Sequence, residues 1–430
     1  MKFAFYTLGC KVNQYETQAM EQKLLAMGHT IGHFEEACDG YIINTCTVTA
    51  VADKKNRAVI RRCRRQNPQA VVGVCGCYAQ VSPEDIRAME VDVISGSGER
   101  EAFLEMMVDA VCDRQRREHL DEALKRRAFE VLPAGGLEER TRAMLKVQDG
   151  CNNFCSYCII PYARGPVRSA PLEEVLTQAK GLKEAGYREV VITGIEIASW
   201  GWDFKNGQTL TDLIEALCRE LAGVRVRLGS LEPCIITEEF CQRLSKFSNL
   251  CPQFHLSLQS GSDTVLQRMR RKYDSARYYE SVTLLNRYFP GCAITTDLIV
   301  GFPGETEQEL EDSLAFAQKC RFAAMHIFPY SRRPGTPADT MPGQHSKQEK
   351  EHRSARGVAV AKALEQDYLQ ALVGTVQEVL FEEPAGETLF TGHAPNYAKI
   401  YAPGQELHNQ IRMVKVTGLY EDGLLGEIED

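Results

Sequence analysis

Three cysteines, Cys151, Cys155 and Cys158, stand in a C-x3-C-x2-C loop directly after the apolar run AMLKVQ. Three thiols within eight residues suit one soft metal centre, either zinc or an iron-sulfur cluster. Structural zinc takes four ligands, and the next cysteine along the chain is Cys218. That gap favours a 4Fe-4S cluster with one iron left open for a substrate, with zinc or three merely structural cysteines as the alternatives. The loop therefore has to sit where a strand ends, and the surrounding sequence supplies such ends repeatedly.

AMLKVQDGC opens a βα series. Five further strand candidates follow it: REVVITGIEI, VRVRLGSLEP, QFHLSLQSGS, AITTDLIVGFPGE and AAMHIFPYS, each with a helical pattern after or between. Six βα units make an incomplete (βα)6 barrel, whose site belongs at the carboxyl ends of the strands. Upstream, KFAFYTLG, a helix around Glu16 to Met27, YIINTC, a helix after Val51, AVVGVCG and a helix near Pro83 to Met89 alternate, which predicts a parallel α/β sheet. Three of those strands end at Cys10, Cys46 and Cys77, and ligands collect at strand carboxyl ends in open α/β sheets. The charge-dense stretch Asp109 to Arg142, with the turn-like Pro133-Ala-Gly-Gly136, reads as a linker. After a charged helix from Ser346 to about Leu372, short apolar runs broken by Gly, Pro and Asn read as a small antiparallel β-barrel. The expected domains are an N-terminal α/β domain over 1–130, the partial barrel over 137–366 and the small barrel over 367–430.

The composition excludes some functions. The N-terminus is too polar for a signal peptide, and no run reaches the roughly 18 apolar residues of a membrane span, so a cytoplasmic protein is expected. In that reducing compartment sixteen cysteines are poor disulfides. Cys218, Cys241 and Cys320 lie on helical apolar patterns and read as buried small hydrophobes. A net charge of −8 argues against wholesale non-specific nucleic-acid binding. From Asp367 onward there are eleven acidic and three basic residues, so the preceding chain is balanced and an RNA site has to be a local patch.

The chain resembles the methylthiotransferases of the radical S-adenosylmethionine (SAM) superfamily over nearly its whole length. The stretches that carry the likeness are VQDGCNNFCSYCIIPYARGPVRS, HLSLQSGSDTVLQRMRRKY, TDLIVGFPGET, FPYSRRPGTPA, LGCKVNQYET, NTCTV and GCYAQ. The resemblance implies two 4Fe-4S clusters, one on Cys151, Cys155 and Cys158 and the other on Cys10, Cys46 and Cys77, with Cys75 a nearby competitor for the last place. It implies that SAM chelates the open iron and is cleaved to a 5′-deoxyadenosyl radical. A second SAM methylates a sulfur held by the other cluster before transfer. SAM contacts are expected from Tyr157, from Gly194 and Glu196 of the TGIEI turn, where Ile195 departs from a Gly-Gly-Glu pattern, and from Ser230, Glu232 and Gln259. A polar residue at a strand end can equally be a helix or turn cap.

Between Lys54 and Arg65 lie Lys54, Lys55, Arg57, Arg61, Arg62, Arg64 and Arg65, a candidate phosphate-binding patch or else a solvated basic face. The acidic C-terminal segment resembles a TRAM domain, in which His393, Tyr397, Lys399 and Arg412 would contact RNA; the alternative is that it mainly covers the active-site mouth. Arg332 and Arg333 join the RNA-contact set. Family substrates are tRNA carrying N6-threonylcarbamoyladenosine, tRNA carrying N6-isopentenyladenosine, or a ribosomal-protein aspartate. TLGCKVNQYET and GCYAQ resemble the first group, since the second more often has Gln-Met-Asn after its first cysteine. A threonylcarbamoyl carboxylate needs a basic partner, for which Arg164, Arg168, Arg332 and Arg333 are the candidates. The expected partners are a tRNA anticodon stem-loop and an electron donor such as flavodoxin or ferredoxin, with the chain a monomer and no membrane involved. The rival from another class is a non-catalytic RNA-binding protein with structural zinc.

Overall fold

A computed structural model gives the fold for residues 1–136 and 141–429. The first layer is a six-stranded parallel sheet of β1 (Lys2–Thr7), β2 (Thr30–Gly32), β3 (Gly40–Thr45), β4 (Val71–Gly76), β5 (Val93–Ser95) and β6 (Arg117–His119), ordered β2-β1-β3-β4-β5-β6. Its helices are α1 (Lys11–Ala26), α2 (Ala50–Gln66), α3 (Cys77–Val81), α4 (Pro83–Arg87) and α5 (Arg100–Asp113). β3 and β4 are buried along their whole length, as near-continuous apolar strands covered on both faces have to be.

The second body holds β7 (Arg142–Lys146), the short pair β8 (Gln148–Asp149) and β9 (Arg168–Ser169), then β10 (Glu189–Thr193), β11 (Arg225–Leu228), β12 (Ser230–Leu231), β13 (Gln253–Leu256), β14 (Ala293–Val300) and β15 (Ala324–Pro329). Three strands run β11-β10-β7 and four run β12-β13-β14-β15, all parallel. Only Gly229 separates β11 from β12, so the six main strands curve into the expected partial barrel. The outer helices are α6 (Ile160–Arg164), α7 (Leu172–Glu184), α8 (Leu210–Glu220), α9 (Glu238–Leu244), α10 (Asp263–Arg268), α11 (Ser275–Tyr288) and α12 (Glu307–Cys320). Alternate strand residues such as Ala143, Leu145, Val190, Ile192, Val226 and Leu228 pack outward into one large apolar core with the helices. Cys218, Cys241 and Cys320 are buried in that core.

Helix α13 (Lys347–Leu372) starts at a capping box of Ser346 and Glu349 and leads to β16 (Val376–Ala385), β17 (Leu389–His393), β18 (Lys399–Pro403), β19 (Ile411–Tyr420) and β20 (Gly423–Ile428). These close into a barrel in the order β16-β17-β18-β20-β19. Neighbours cannot all alternate in direction round a ring of five, so one pairing, β18 with β20, is parallel, where the sequence pattern suggests antiparallel pairing throughout.

The stretch from Asp109 differs from a free linker. α5 runs on to Asp113, and β6 pairs with β5 as the sheet's edge strand, where one polar side faces water. Leu132 is buried against Tyr15 and Ala19, and Gln22 donates to the Gly135 carbonyl at 2.6 Å. The end of that stretch, 137–140, and with it the expected domain start at 137, lie outside the described residues, as does the last residue of the 367–430 segment.

Candidate active site

β1, β3 and β4 are neighbours in the sheet, and the chain leaves their carboxyl ends at Cys10, which N-caps α1, at Cys46, and at Cys77, the first residue of α3. The ends are close: a side chain on Gly9 would place its Cβ 2.6 Å from the Cys46 Cβ and 3.0 Å from its sulfur. Cys77 faces the partial barrel, where the Arg164 Nε donates to its sulfur at 3.1 Å. Cys75 points the other way, into the apolar layer with Phe103 and Met107.

The second cysteine set follows β8. The Cys151 amide donates to the Gly165 carbonyl at 3.0 Å, and the Asn153 amide to the Cys151 sulfur at 3.4 Å. Ser156 anchors the loop through its amide to the Met269 carbonyl at 3.0 Å and its hydroxyl to the Arg268 carbonyl at 2.8 Å. Arg271 donates to the Cys155 sulfur at 3.1 Å, the Glu232 carboxylate at 2.5 Å and the Tyr157 hydroxyl at 3.5 Å. One buried guanidinium thus ties the loop to a residue at the end of β12. Arg271 lies inside a motif that the sequence singles out, but nothing in the pattern assigns it this task.

Between the two sets lies a dry ion network. Glu16 of α1 is 1% exposed and meets Arg100 at 2.8 Å, Lys146 at 3.0 Å and Arg164. Lys146 also reaches Asp149 at 2.7 Å, and Arg164 donates to the Asn13 side-chain oxygen at 2.8 Å. Burial pushes the Glu16 carboxyl up, but the charges of Arg100, Arg164 and Lys146 outweigh it and hold it well below the usual carboxylate range. A buried carboxylate is tolerated on those terms. The sequence gives no hint of this network, because its members come from α1, α5, α6, β7 and β8.

Burial pushes the Cys46, Cys151 and Cys158 thiols up to about 12, so a metal centre binding there has to displace protons. Among the described residues no three His, Cys, Asp or Glu side chains converge tightly enough to hold a single metal ion. The soft, all-thiol donor sets are of the kind that would hold an iron-sulfur cluster.

Glu196 sits in the turn after β10, where its amide donates to Gln148 Oε1 at 2.8 Å and its carboxylate accepts from the Ala198 amide at 3.1 Å. Burial and then the charge of Glu232 push its carboxyl up to about 7. Gly194 is packed against Gln148, Ser230 is exposed at the barrel interior, and Gln259 takes a left-handed φ of 66° while its amide donates to the Asp297 carbonyl at 2.9 Å.

The basic residues of α2 divide. Arg57 donates to the Tyr78 hydroxyl at 2.7 Å, Arg62 pairs with Glu35, and Arg64 pairs with Asp92 at 2.6 Å. Lys54, Lys55, Arg61 and Arg65 are exposed. Spacings of seven and four residues put Lys54, Arg61 and Arg65 in one stripe along the helix. Arg164 and Arg168 are buried, and Arg333 is buried against Asp53 at 2.7 Å and Thr47 at 2.6 Å. All three make internal contacts within the protein. Arg332 is exposed and pairs with Asp339 at 3.0 Å.

The C-terminal barrel docks at the amino ends of the strands, opposite the cysteine loop, so it does not cover the carboxyl-end mouth. Arg225 donates to the Glu378 and His393 carbonyls at 2.8 and 2.9 Å, and Arg142 pairs with Glu382 at 2.6 Å. Tyr397 enters the barrel interior, stacked on His393 with ring centres 4.6 Å apart and with Arg227 4.7 Å from its ring centre. Lys399 pairs with Asp422 at 2.9 Å, and Arg412 donates to Gln410 at 2.6 Å.

Comparison with known proteins places the chain. The radical SAM superfamily profile matches residues 145–317, and the Uncharacterized protein family UPF0004 profile matches residues 2–96. The threonylcarbamoyladenosine tRNA methylthiotransferase MtaB of Bacillus subtilis is 42% identical over 94% of this chain and 90% of its own length. The chain belongs to the MtaB family of radical SAM methylthiotransferases. MtaB of Aquifex aeolicus is 37% identical over 85% of this chain and 88% of its own. A tRNA-2-methylthio-N(6)-dimethylallyladenosine synthase of Acidothermus cellulolyticus is 36% identical over 88% of this chain and 77% of its own. Among solved structures, the radical SAM methyltransferase TsrM of Kitasatospora setae matches with a TM-score of 0.58 at 15% identity, over 79% of this chain and 77% of its own, a likeness of fold alone.

Proposed function

We propose that this chain is a tRNA methylthiotransferase that converts N6-threonylcarbamoyladenosine at tRNA position 37 to its 2-methylthio derivative. The observation that carries this reading is the 42% identity to the Bacillus subtilis MtaB over nearly the whole of both chains. In this reading Cys151, Cys155 and Cys158 hold one 4Fe-4S cluster, whose open iron takes SAM, and Cys10, Cys46 and Cys77 hold the other. When bound, these groups supply the 5′-deoxyadenosyl radical and the sulfur that an unreactive C–H bond at carbon 2 of adenine requires.

The chain's own residues do the holding. Arg271 fixes the Cys155 sulfur and the Glu232 carboxylate on one guanidinium, so the loop and the end of β12 keep a set separation. Arg164 holds Cys77 from the barrel side, which couples the two cysteine sets. Tyr157, Gly194, Glu196, Ser230, Glu232 and Gln259 are the proposed surroundings of SAM. Glu196, with its carboxyl near neutral, accepts or donates a hydrogen bond without adding a full charge beside Glu232.

For RNA, Lys54, Lys55, Arg61 and Arg65 on α2 are the proposed backbone contacts. Replacing Lys54, Arg61 and Arg65 together by alanine should weaken anticodon stem-loop binding and make the log Kd against log salt slope shallower by about two to three. An unchanged slope in a filter-binding titration would remove the stripe from the interface. Among the described residues no helix is long and apolar enough to cross a membrane. We place the enzyme in the cytoplasm as a monomer that draws electrons from a flavodoxin or ferredoxin.

Iron and acid-labile sulfide on anaerobically reconstituted protein test the cysteine assignment. About eight irons per chain should fall to about four when either three-cysteine set is changed to alanine. Four irons falling to none on loss of Cys151, Cys155 and Cys158 would leave the N-terminal cysteines structural. The substrate is tested by mass spectrometry of nucleosides after turnover. Product on isopentenyl-tRNA alone would transfer the chain to the other tRNA activity.

A further inference from the structure

The interior of the partial barrel is polar. Strand residues alternate, and those opposite the apolar outer set, among them Arg142, Glu189, Arg227, His255, Asp297 and His326, face inward. Two cavities fill that interior, of about 880 and 480 Å³, and Lys11, Arg227 and Tyr397 line both. Lys11 reaches them from the N-terminal domain, as the first residue of α1, directly after Cys10.

The cations lining this space are neutralised with one exception. Arg227 is clamped on both Glu189 oxygens at 2.6 and 3.0 Å, Arg142 pairs with Glu382, and Lys399 with Asp422. Among the described residues Lys11 has no ion pair and no hydrogen-bond partner, although the Glu189 charge acts on it and its side chain is open to both cavities, whose lining also includes Glu383 and Glu365. An ammonium without a direct partner in a confined space attracts an incoming anion more strongly than one on an open surface does.

The chemistry of the reaction says where such an anion has to be. In adenine, carbon 2 and the carbon that bears the N6 substituent are bonded to the same ring nitrogen. A group that handles carbon 2 and a group that reads the carboxylate at the end of the substituent therefore lie within about one nucleobase plus one substituent length of each other. Cys10 is in the cysteine set proposed for the sulfur, and Lys11 is its neighbour in the chain, with adjacent Cα atoms about 3.8 Å apart. Of the arginines weighed from the sequence alone, Arg164, Arg168 and Arg333 are buried in internal contacts and Arg332 is on the surface, paired with Asp339.

We propose that Lys11 is a specificity-determining residue that binds the carboxylate of the threonylcarbamoyl group inside the barrel. This rests on the substrate reading above. Lys11→Met keeps the aliphatic stem and removes the charge. Reconstituted holoenzyme is titrated, without SAM, with a labelled anticodon stem-loop carrying threonylcarbamoyladenosine, and with the same stem-loop whose threonyl carboxylate is a methyl ester.

Wild type should bind the acid roughly ten- to a hundredfold more tightly than the ester, the range of a charge-assisted hydrogen bond. Lys11→Met should bind acid and ester alike, with kcat/KM on the acid reduced by the same factor and about eight irons retained. Lys11→Arg should keep a preference for the acid. Wild type without that preference, or Lys11→Met with its preference and iron intact, overturns the inference. If Lys11→Met loses iron, the same two titrations on Lys11→Arg and on wild type decide. Wild type that makes no methylthio product from the acid stem-loop overturns the substrate reading itself, which is a different result.

Discussion

Arg164→Met should destabilise the N-terminal domain and its seat on the barrel by about 3–5 kcal/mol, the usual cost of removing one partner from a buried charge network. The loss goes beyond one ion pair. Arg164 donates to Glu16, to Asn13 at 2.8 Å and to the Cys77 sulfur at 3.1 Å, and no surface water can replace it, because its side chain is fully buried. Lys should not rescue it, since a single ammonium cannot reproduce the fork that serves three partners at once. In urea the N-terminal transition should move down by about 1–2 M. The pH dependence has a definite sign. Glu16 is held well below its ordinary value, so its contribution is complete above about pH 4.3, the unfolded value, and fades as pH falls toward the folded one. The gap between wild type and Arg164→Met should be full at pH 7 and narrow below about pH 4. Glu16→Gln combined with Arg164→Met should cost less than the two single changes summed, because the second removal no longer strands a charge. Equal midpoints for wild type and Arg164→Met at pH 7 would show that the network does not hold the domains together.

What could be read from sequence was what is local. The cysteine loop is a spacing within eight residues, and each strand of the barrel is a run of alternating or apolar residues followed by a turn, so both appear in the one-dimensional pattern. Cys10, Cys46 and Cys77 were legible as strand ends, and sheet order then puts β1, β3 and β4 side by side. Glu16, Arg100, Lys146 and Asp149 were not, because a charged residue in a helix or at a strand end ordinarily faces water, and only the approach of two domains buries these. Tyr397 was expected as a stacking aromatic for RNA; it is exposed, stacks on His393 and lines the cavities between the C-terminal barrel and the strands, a placement that depends on how the domains dock. The edge strand Arg117–His119 hid in a charged stretch for a related reason, as one polar side of an edge strand has the composition of a linker.

Gly150→Ala should cost the protein about four of its eight irons without touching a ligand. Gly150 has φ +75°, and a Cβ there would lie 1.9 Å from the Pro166 carbonyl oxygen, 2.6 Å from its carbon and 2.7 Å from the Gly165 oxygen. All three atoms are backbone, so no rotamer change relieves the overlap. The obstructing strand is held in turn: β8 pairs with β9 through Gln148 with Ser169 and Asp149 with Arg168, and the Cys151 amide donates to Gly165 at 3.0 Å. An alanine therefore has to push Cys151 away from Gly165 or break the β8–β9 pair, and either moves the first sulfur of the loop relative to Cys155 and Cys158. Gly186→Ala supplies the control. Its φ is +86°, so it carries the same left-handed strain of about 1–2 kcal/mol, but nothing lies within 4 Å of the added carbon. Gly186→Ala should keep all its iron and SAM cleavage, whereas Gly150→Ala should lose SAM cleavage by more than about a hundredfold, since displacement of reacting groups by an ångström costs that much. If both variants kept full iron, the close packing at Gly150 would not be what positions the loop.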